Sequence, residues 1–212
     1  APMPTRPRAA TQSPITAPPK NATRSALPCP SWLAAAEVRV PKPYGFVDGV
    51  LLMEMITDAE GDVAPRLDDV TLTEEQALRY HAKVIQDVVR MLCAGLIHGD
   101  LSEFNVLVDA DGPVIIDLPQ AVDAAGNNSA AAMLERDVNN MRAYFGRFAP
   151  ELLATHYGKE MWALYEAGKL HPDSQLTGHF EFDDHIANVD ELMEVIDDVK
   201  EDPNPPRACK EF

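Results

Sequence analysis

A long amphipathic helix running straight into a polar loop and a tight hairpin constrains this chain more than any other feature. Ala77, Tyr80, Val84, Val88 and Leu92 recur at the spacing of one helical face. Thr73 followed by Gln76 forms a capping-box pattern, so a helix is expected over residues 73–94. Beyond it come His98, Gly99, Asp100, Leu101, Ser102, Glu103, Phe104 and Asn105. Two short apolar runs follow, residues 106–108 and 114–116, joined at Asp111-Gly112, which reads as a β-hairpin. Asp117 closes the second run, so a loop and a strand end deliver three polar groups.

The flanking sequence sets the class. Residues 1–30 hold eight of the eighteen prolines, mixed with Thr, Ser and Ala. Proline offers no amide donor and fixes its own φ, so this stretch is expected to be extended and largely disordered. Residues 38–40 alternate like a strand, and residues 44–47 read as an edge strand turning at Asp48-Gly49. Residues 50–56 read as a buried strand paired with it. Three helical segments are expected later, roughly over 130–148, 150–168 and 186–201. A small strand portion followed by a larger helical one is an α+β arrangement.

Charge and composition exclude several functions. The chain carries a net charge of −16, and residues 1–36 contain four basic groups and no acidic one. The remainder therefore holds 14 basic against 34 acidic residues, a net of −20. Such a body repels nucleic-acid phosphates, so direct nucleic-acid binding is not expected. No apolar run approaches the roughly 18 to 20 residues that span a bilayer; the best candidate, residues 84–97, is interrupted by Gln86, Asp87 and Arg90. The N-terminus lacks the apolar centre of a secretory signal. Cys29, Cys93 and Cys209 form no close pair, which argues against a disulfide framework or a structural zinc site. A cytoplasmic location is the expectation.

The polar residues around the hairpin suit phosphoryl transfer from a nucleotide. That reaction needs a carboxylate to accept or orient the nucleophile's proton, and Asp100 is placed for it. It also needs oxygen ligands for magnesium, a hard cation. Asn105 lies five residues after Asp100, and Asp117 twelve residues after Asn105.

The segment "HGDLSEFNVLV" followed by "IIDLPQAV" resembles the RIO-type atypical serine/threonine protein kinases. The upstream "VRVPKPYGF" and "VLLMEMI" resemble the strand pair before that family's hinge, and "ERDVNNMRAYF" resembles its later helix. The resemblance implies a protein-kinase-like fold, with a truncated small β lobe and a mainly helical C-lobe over residues 38–180. Residues 1–37 fall before it as a Pro-rich segment, and residues 181–212 after it as an acidic helix and tail. It implies ATP with Mg2+ (or Mn2+) as cofactors, a protein substrate, phosphorylation of serine or threonine including on the protein itself, or ATP hydrolysis. A ribosome-related partner is implied by family analogy only. Carried over, Asp100 is the catalytic acid/base and Asn105 and Asp117 are metal ligands. The backbone at Met53, Glu54 and Met55 would meet the adenine, and His98, Ser102, Glu103 and Gln120 belong to the signature.

Departures from ordinary protein kinases are visible. Gly99 replaces the Arg of the catalytic loop, Leu118-Pro119 follows the metal Asp, and no A-P-E sequence appears later. Control by activation-loop phosphorylation is therefore not expected. Residues 1–37 contain no glycine and no pattern of a phosphate loop or strand Lys. A non-catalytic nucleotide- or partner-binding protein is thus an alternative. An aminoglycoside-type phosphotransferase is another, though Ser102-Glu103 and Pro119-Gln120 favour the protein kinase.

Simpler readings apply to several residues. His98 reads as a packed structural histidine, since Asp100 already fills the proton-accepting role. Ser102 and Glu103 read as loop-shaping, Asp137 as a structural cap or pairing residue, and Cys93 as a small core hydrophobe. His179, Glu181, Asp183, Asp184 and His185 do not share one helical face and read as an acidic surface loop rather than a metal site.

Overall fold

The computed structural model describes Leu33 and residues 36–180. Its elements, in chain order, are β1 (Pro43–Val47), β2 (Val50–Met53), α1 (Glu74–Cys93), β3 (Leu96–Ile97), β4 (Val106–Asp109), β5 (Gly112–Ile115), β6 (Val122–Asp123), α2 (Ala130–Phe145) and α3 (Tyr157–Glu166). The strands pair antiparallel as three two-stranded sheets, β1–β2, β3–β6 and β4–β5. Short 3-10 turns at Leu67–Asp69, Glu103–Asn105, Leu118–Gln120 and Pro150–Ala154 bend the chain between them. Small antiparallel sheets beside longer helices make the architecture α+β, as expected.

Helix α1 starts where its cap predicts. The Gln76 amide donates to Thr73 Oγ1 at 3.2 Å, and the Thr73 amide donates to Gln76 Oε1 at 2.9 Å. Glu74 and Glu75 lie in the first turn and Arg90 in the last, each matching the sign of the helix dipole there. Gly95, at φ +81°, turns the chain out of the helix, and its amide donates to the Leu92 carbonyl at 2.9 Å. The buried face holds Ala77, Tyr80, Val84, Val88 and Leu92, as the periodicity predicts. These residues form one core with Leu134, Val138, Met141 and Phe145 of α2, Met161 of α3, and Leu101, Val106 and Ile115 around the hairpin.

The β4–β5 hairpin pairs Asp109 with Gly112 and Val106 with Ile115. Its turn is fixed by Asp109, whose Oδ1 accepts from the Asp111 and Gly112 amides at 2.8 and 2.9 Å. The β1–β2 hairpin turns at Asp48-Gly49, with φ of +49° and +82°. Two positive φ values at the central residues suit the twist of a two-residue hairpin loop.

Three expectations need correction. Residues 38–40 do not form a strand. They run extended, with Val38 buried, the Ile115 amide donating to the Arg39 carbonyl at 2.9 Å, and Arg39 paired with Asp109 at 2.6 Å. Residues 50–56 are not a buried strand: strand structure stops at Met53, and Val50 and Leu52 are exposed. A continuous apolar run suits a buried strand, while burial depends on what covers its faces. The helix expected over residues 150–168 splits. Pro150 opens a 3-10 turn, Thr155 is extended with its Oγ1 donating to the Leu152 carbonyl at 2.7 Å, and α3 begins only at Tyr157. The helix expected over residues 186–201 lies outside the described residues. No helix among the described residues is long and apolar enough to cross a membrane.

Candidate active site

The site is assembled on the loop that leaves β3. Gly99 adopts φ +83°, and a Cβ there would lie 2.9 Å from Met133 Cε and 3.0 Å from the Gln120 carbonyl oxygen. Backbone conformation and space both demand glycine, which gives the missing catalytic-loop Arg a structural reason. A guanidinium still reaches this point from elsewhere in the chain: Arg136 of α2 donates to the Gly99 carbonyl.

Asp137, on the same helix, is 1% exposed. Its Oδ2 accepts from the Gly99 amide at 2.7 Å and its Oδ1 from the Leu101 amide at 3.2 Å. Burial pushes its carboxyl above the ordinary carboxylate range, opposed by those two amides and by the nearby His98 and Arg136. Its structural pairing is therefore with the loop backbone. Asn140, one helical turn further, donates through Nδ2 to the Leu101 carbonyl at 3.0 Å.

His98 is buried and ties the loop to the hairpin. Its Nε2 lies 2.9 Å from the Ile116 carbonyl, which can only accept, so Nε2 carries the proton. Its Nδ1 then accepts the Asp100 amide at 3.3 Å. Both ring nitrogens thus face backbone groups.

Asp100 is exposed at the loop apex. Asn105 donates through Nδ2 to the Asp100 carbonyl at 2.8 Å, which leaves its Oδ1 as the atom available to a cation. The Asn105 amide donates to the Ser102 carbonyl at 3.0 Å, and its own carbonyl accepts from the Ile116 amide at 3.0 Å. Ile116 precedes Asp117, an exposed residue at φ 63° and ψ 57°. Left-handed backbone is uncommon for a non-glycine residue, aspartate tolerates it better than most, and such strain gathers at functional positions. A closed ring of hydrogen bonds thus links His98, Asp100, Asn105 and Ile116, the residue before Asp117.

The donor set suits a hard cation. Asn105 and Asp117 offer oxygen only, and no group of three His, Cys, Asp or Glu among the described residues forms a cage. Magnesium in nucleotide sites usually takes one or two protein oxygens and completes its shell with phosphates and water, which fits two ligands.

The other expected residues are less integrated. Ser102 contributes its carbonyl to the Asn105 turn, and Glu103 lies half-buried in that turn. Exposed Gln120 packs its carbonyl where a Gly99 side chain would have to go. Met53, Glu54 and Met55 stand apart from the ring. Glu54 instead accepts the Lys42 amide at 3.1 Å, while Met55 is 67% exposed. Sequence reasoning missed Arg136 and Asn140. The available signal was a set of polar residues beside the apolar Leu134, Val138 and Met141 on one amphipathic helix.

The chain is similar to known proteins over about half of its length. The chain is 40% identical over 113 residues to the RIO-type serine/threonine-protein kinase Rio1 of Haloferax volcanii, covering 53% of this chain and 37% of the relative. It is 38% identical over 119 residues to the Rio1 of Thermoplasma acidophilum, covering 56% and 60%. Identity to the human serine/threonine-protein kinase RIO1 is 38% over 117 residues, covering 54% and 20%. The similar proteins are thus serine/threonine kinases, and this chain spans less than two thirds of each. A family model, the RIO domain, matches residues 30–157. The chain belongs to the RIO family.

Proposed function

We propose that this chain transfers a phosphoryl group from ATP to serine or threonine of a protein, itself included, or hydrolyses ATP. The observation carrying this reading is the hydrogen-bonded ring that holds Asp100, Asn105 and Asp117 on adjoining backbone. In it Asp100 accepts or orients the proton of the attacking hydroxyl. Asn105 Oδ1 and the Asp117 carboxylate hold Mg2+, or Mn2+ in its place. The cation, when bound, offsets charge on the β and γ phosphates. The backbone of Met53, Glu54 and Met55 receives the adenine. A ribosome-related partner, implied by the family resemblance, belongs to the same proposal.

A second reading, nucleotide or partner binding without turnover, is favoured by one observation. Val47, Val50, Leu52 and Met55 expose apolar surface beside the proposed adenine position, a face suited to a partner.

Radiolabelled phosphate transfer from ATP with Mg2+ separates the two, comparing the chain with Asp100→Ala and Asp117→Ala. A working kinase turns over on the order of 1 to 100 times per second, so a thousandfold deficit is still measurable. Transfer lost in both variants supports the kinase. Nucleotide binding without transfer above the variants supports the second reading.

A further inference from the structure

We infer that Asn140 is a positioning residue that sets Asp100 relative to Asn105, an inference resting on the phosphotransfer reading above. Each peptide unit of the loop is a rigid plane, and each is held at a polar atom. The plane between His98 and Gly99 is held by the Gly99 amide on Asp137. The next is held by the Gly99 carbonyl on Arg136 and the Asp100 amide on His98. The third is held by the Asp100 carbonyl on Asn105 and the Leu101 amide on Asp137. The fourth, between Leu101 and Ser102, is held by the Leu101 carbonyl on Asn140.

That fourth plane is the bridge between the two halves of the site. On one side of it sits Asp100; on the other begins the turn in which the Asn105 amide donates to the Ser102 carbonyl. Two soft dihedrals separate consecutive planes, so pinning the planes on both sides of Leu101 fixes both of its dihedrals. The Leu101 side chain is fully buried, which anchors its Cα as well. Asp137 and Asn140 are three residues apart on α2 and so present neighbouring side chains to the same residue. Asp137 alone would hold the amide end of Leu101 and leave the carbonyl end to rotate. Asn140 stops that rotation and keeps the Asn105 side-chain amide aligned on the Asp100 carbonyl.

The test uses the full chain with Asn140→Leu, which is close in size and cannot donate, and Asn140→Ser as a milder change should leucine not be accommodated. Residue-resolved hydrogen exchange is measured alongside phosphate transfer as a function of Mg2+. The expected result is about tenfold faster exchange at the Asn105 amide, with α1 and the β4–β5 hairpin unchanged, since one hydrogen bond near a charged site is worth about that factor. In the same variants kcat falls about tenfold and the Mg2+ requirement rises, while KM for ATP stays within about twofold. Unchanged exchange at Asn105, or exchange raised equally throughout the domain, would overturn the assignment, as would unchanged kcat and Mg2+ requirement in an active chain. If the unmodified chain transfers no phosphate, the phosphotransfer reading fails on its own, and exchange alone decides whether Asn140 holds the loop.

Discussion

Two buried groups on α1 should give the fold opposite responses to acid, and single substitutions should uncover each. His81 is 3% exposed, its Nε2 has no hydrogen-bond partner among the described residues, and its ring packs against Phe145 at 5.6 Å and Tyr157 at 5.5 Å. Burial lowers its pKa from 6.5 to about 4. A folded pKa below the unfolded one means stability present above pH 6.5 and lost as pH falls through 4. At pH 4 the loss is about 3 kcal/mol, since each tenfold change in proton affinity is worth about 1.36 kcal/mol. Asp87, also 3% exposed, shows the reverse. Burial raises its pKa from 3.8 to about 6, opposed by the Arg39 amide and by the charges of Arg90, Arg39 and Lys83. Its stabilisation is complete below pH 3.8 and is lost as pH rises through 6, about 2 kcal/mol between pH 4 and 7. In that window the two nearly cancel. Urea unfolding followed by far-ultraviolet circular dichroism at pH 7 and pH 4 reads the difference. Relative to the unmodified chain, His81→Phe should reduce the stability lost between pH 7 and 4 by about 3 kcal/mol. Asp87→Asn should increase it by about 2 kcal/mol. If neither variant changes the loss by more than about 0.5 kcal/mol, the claim that both groups titrate against burial is wrong.

Two further predictions concern the loop and the helix. Gly99→Arg, which restores the residue of ordinary protein kinases, meets Met133 and the Gln120 carbonyl at a left-handed φ. It should cost on the order of 2 kcal/mol or more in thermal unfolding and abolish transfer rather than improve it; a gain in transfer would show that the Gly99 backbone is not required. Thr73→Ala removes the capping box of α1. It should cost about 1 kcal/mol in urea unfolding without altering the nucleotide affinity of the site.

The hydrogen-bond ring also holds the residues of the proposed site through the main chain. Each exposed group is held by its backbone: Asp100 through its amide on His98 and its carbonyl on Asn105, Asp117 through the preceding Ile116. The side chains stay available to solvent while the main chain carries the rigidity. Positioning through amides and carbonyls suits the proposed phosphoryl transfer, whose catalysis is mostly electrostatic and geometric.

The sequence by itself determined the features that are local. The cap and periodicity of α1 and the two hairpin turns depend on residues within a few positions of one another. Local dihedral preferences and short-range hydrogen bonds therefore encode them directly. Tertiary structure decided everything that depends on which surface meets which. Val50 and Leu52 lie in an apolar run yet stay exposed, because an apolar run does not say whether a face is covered. Residues 38–40 alternate yet give one carbonyl to β5 and one guanidinium to Asp109 instead of a ladder. Arg136, Asp137 and Asn140 hold the loop from 36 to 39 residues away, a relation set by the packing of α2 on α1. Hydrogen-bond partners so distant in the chain are chosen by the shared core, and no local pattern records that choice.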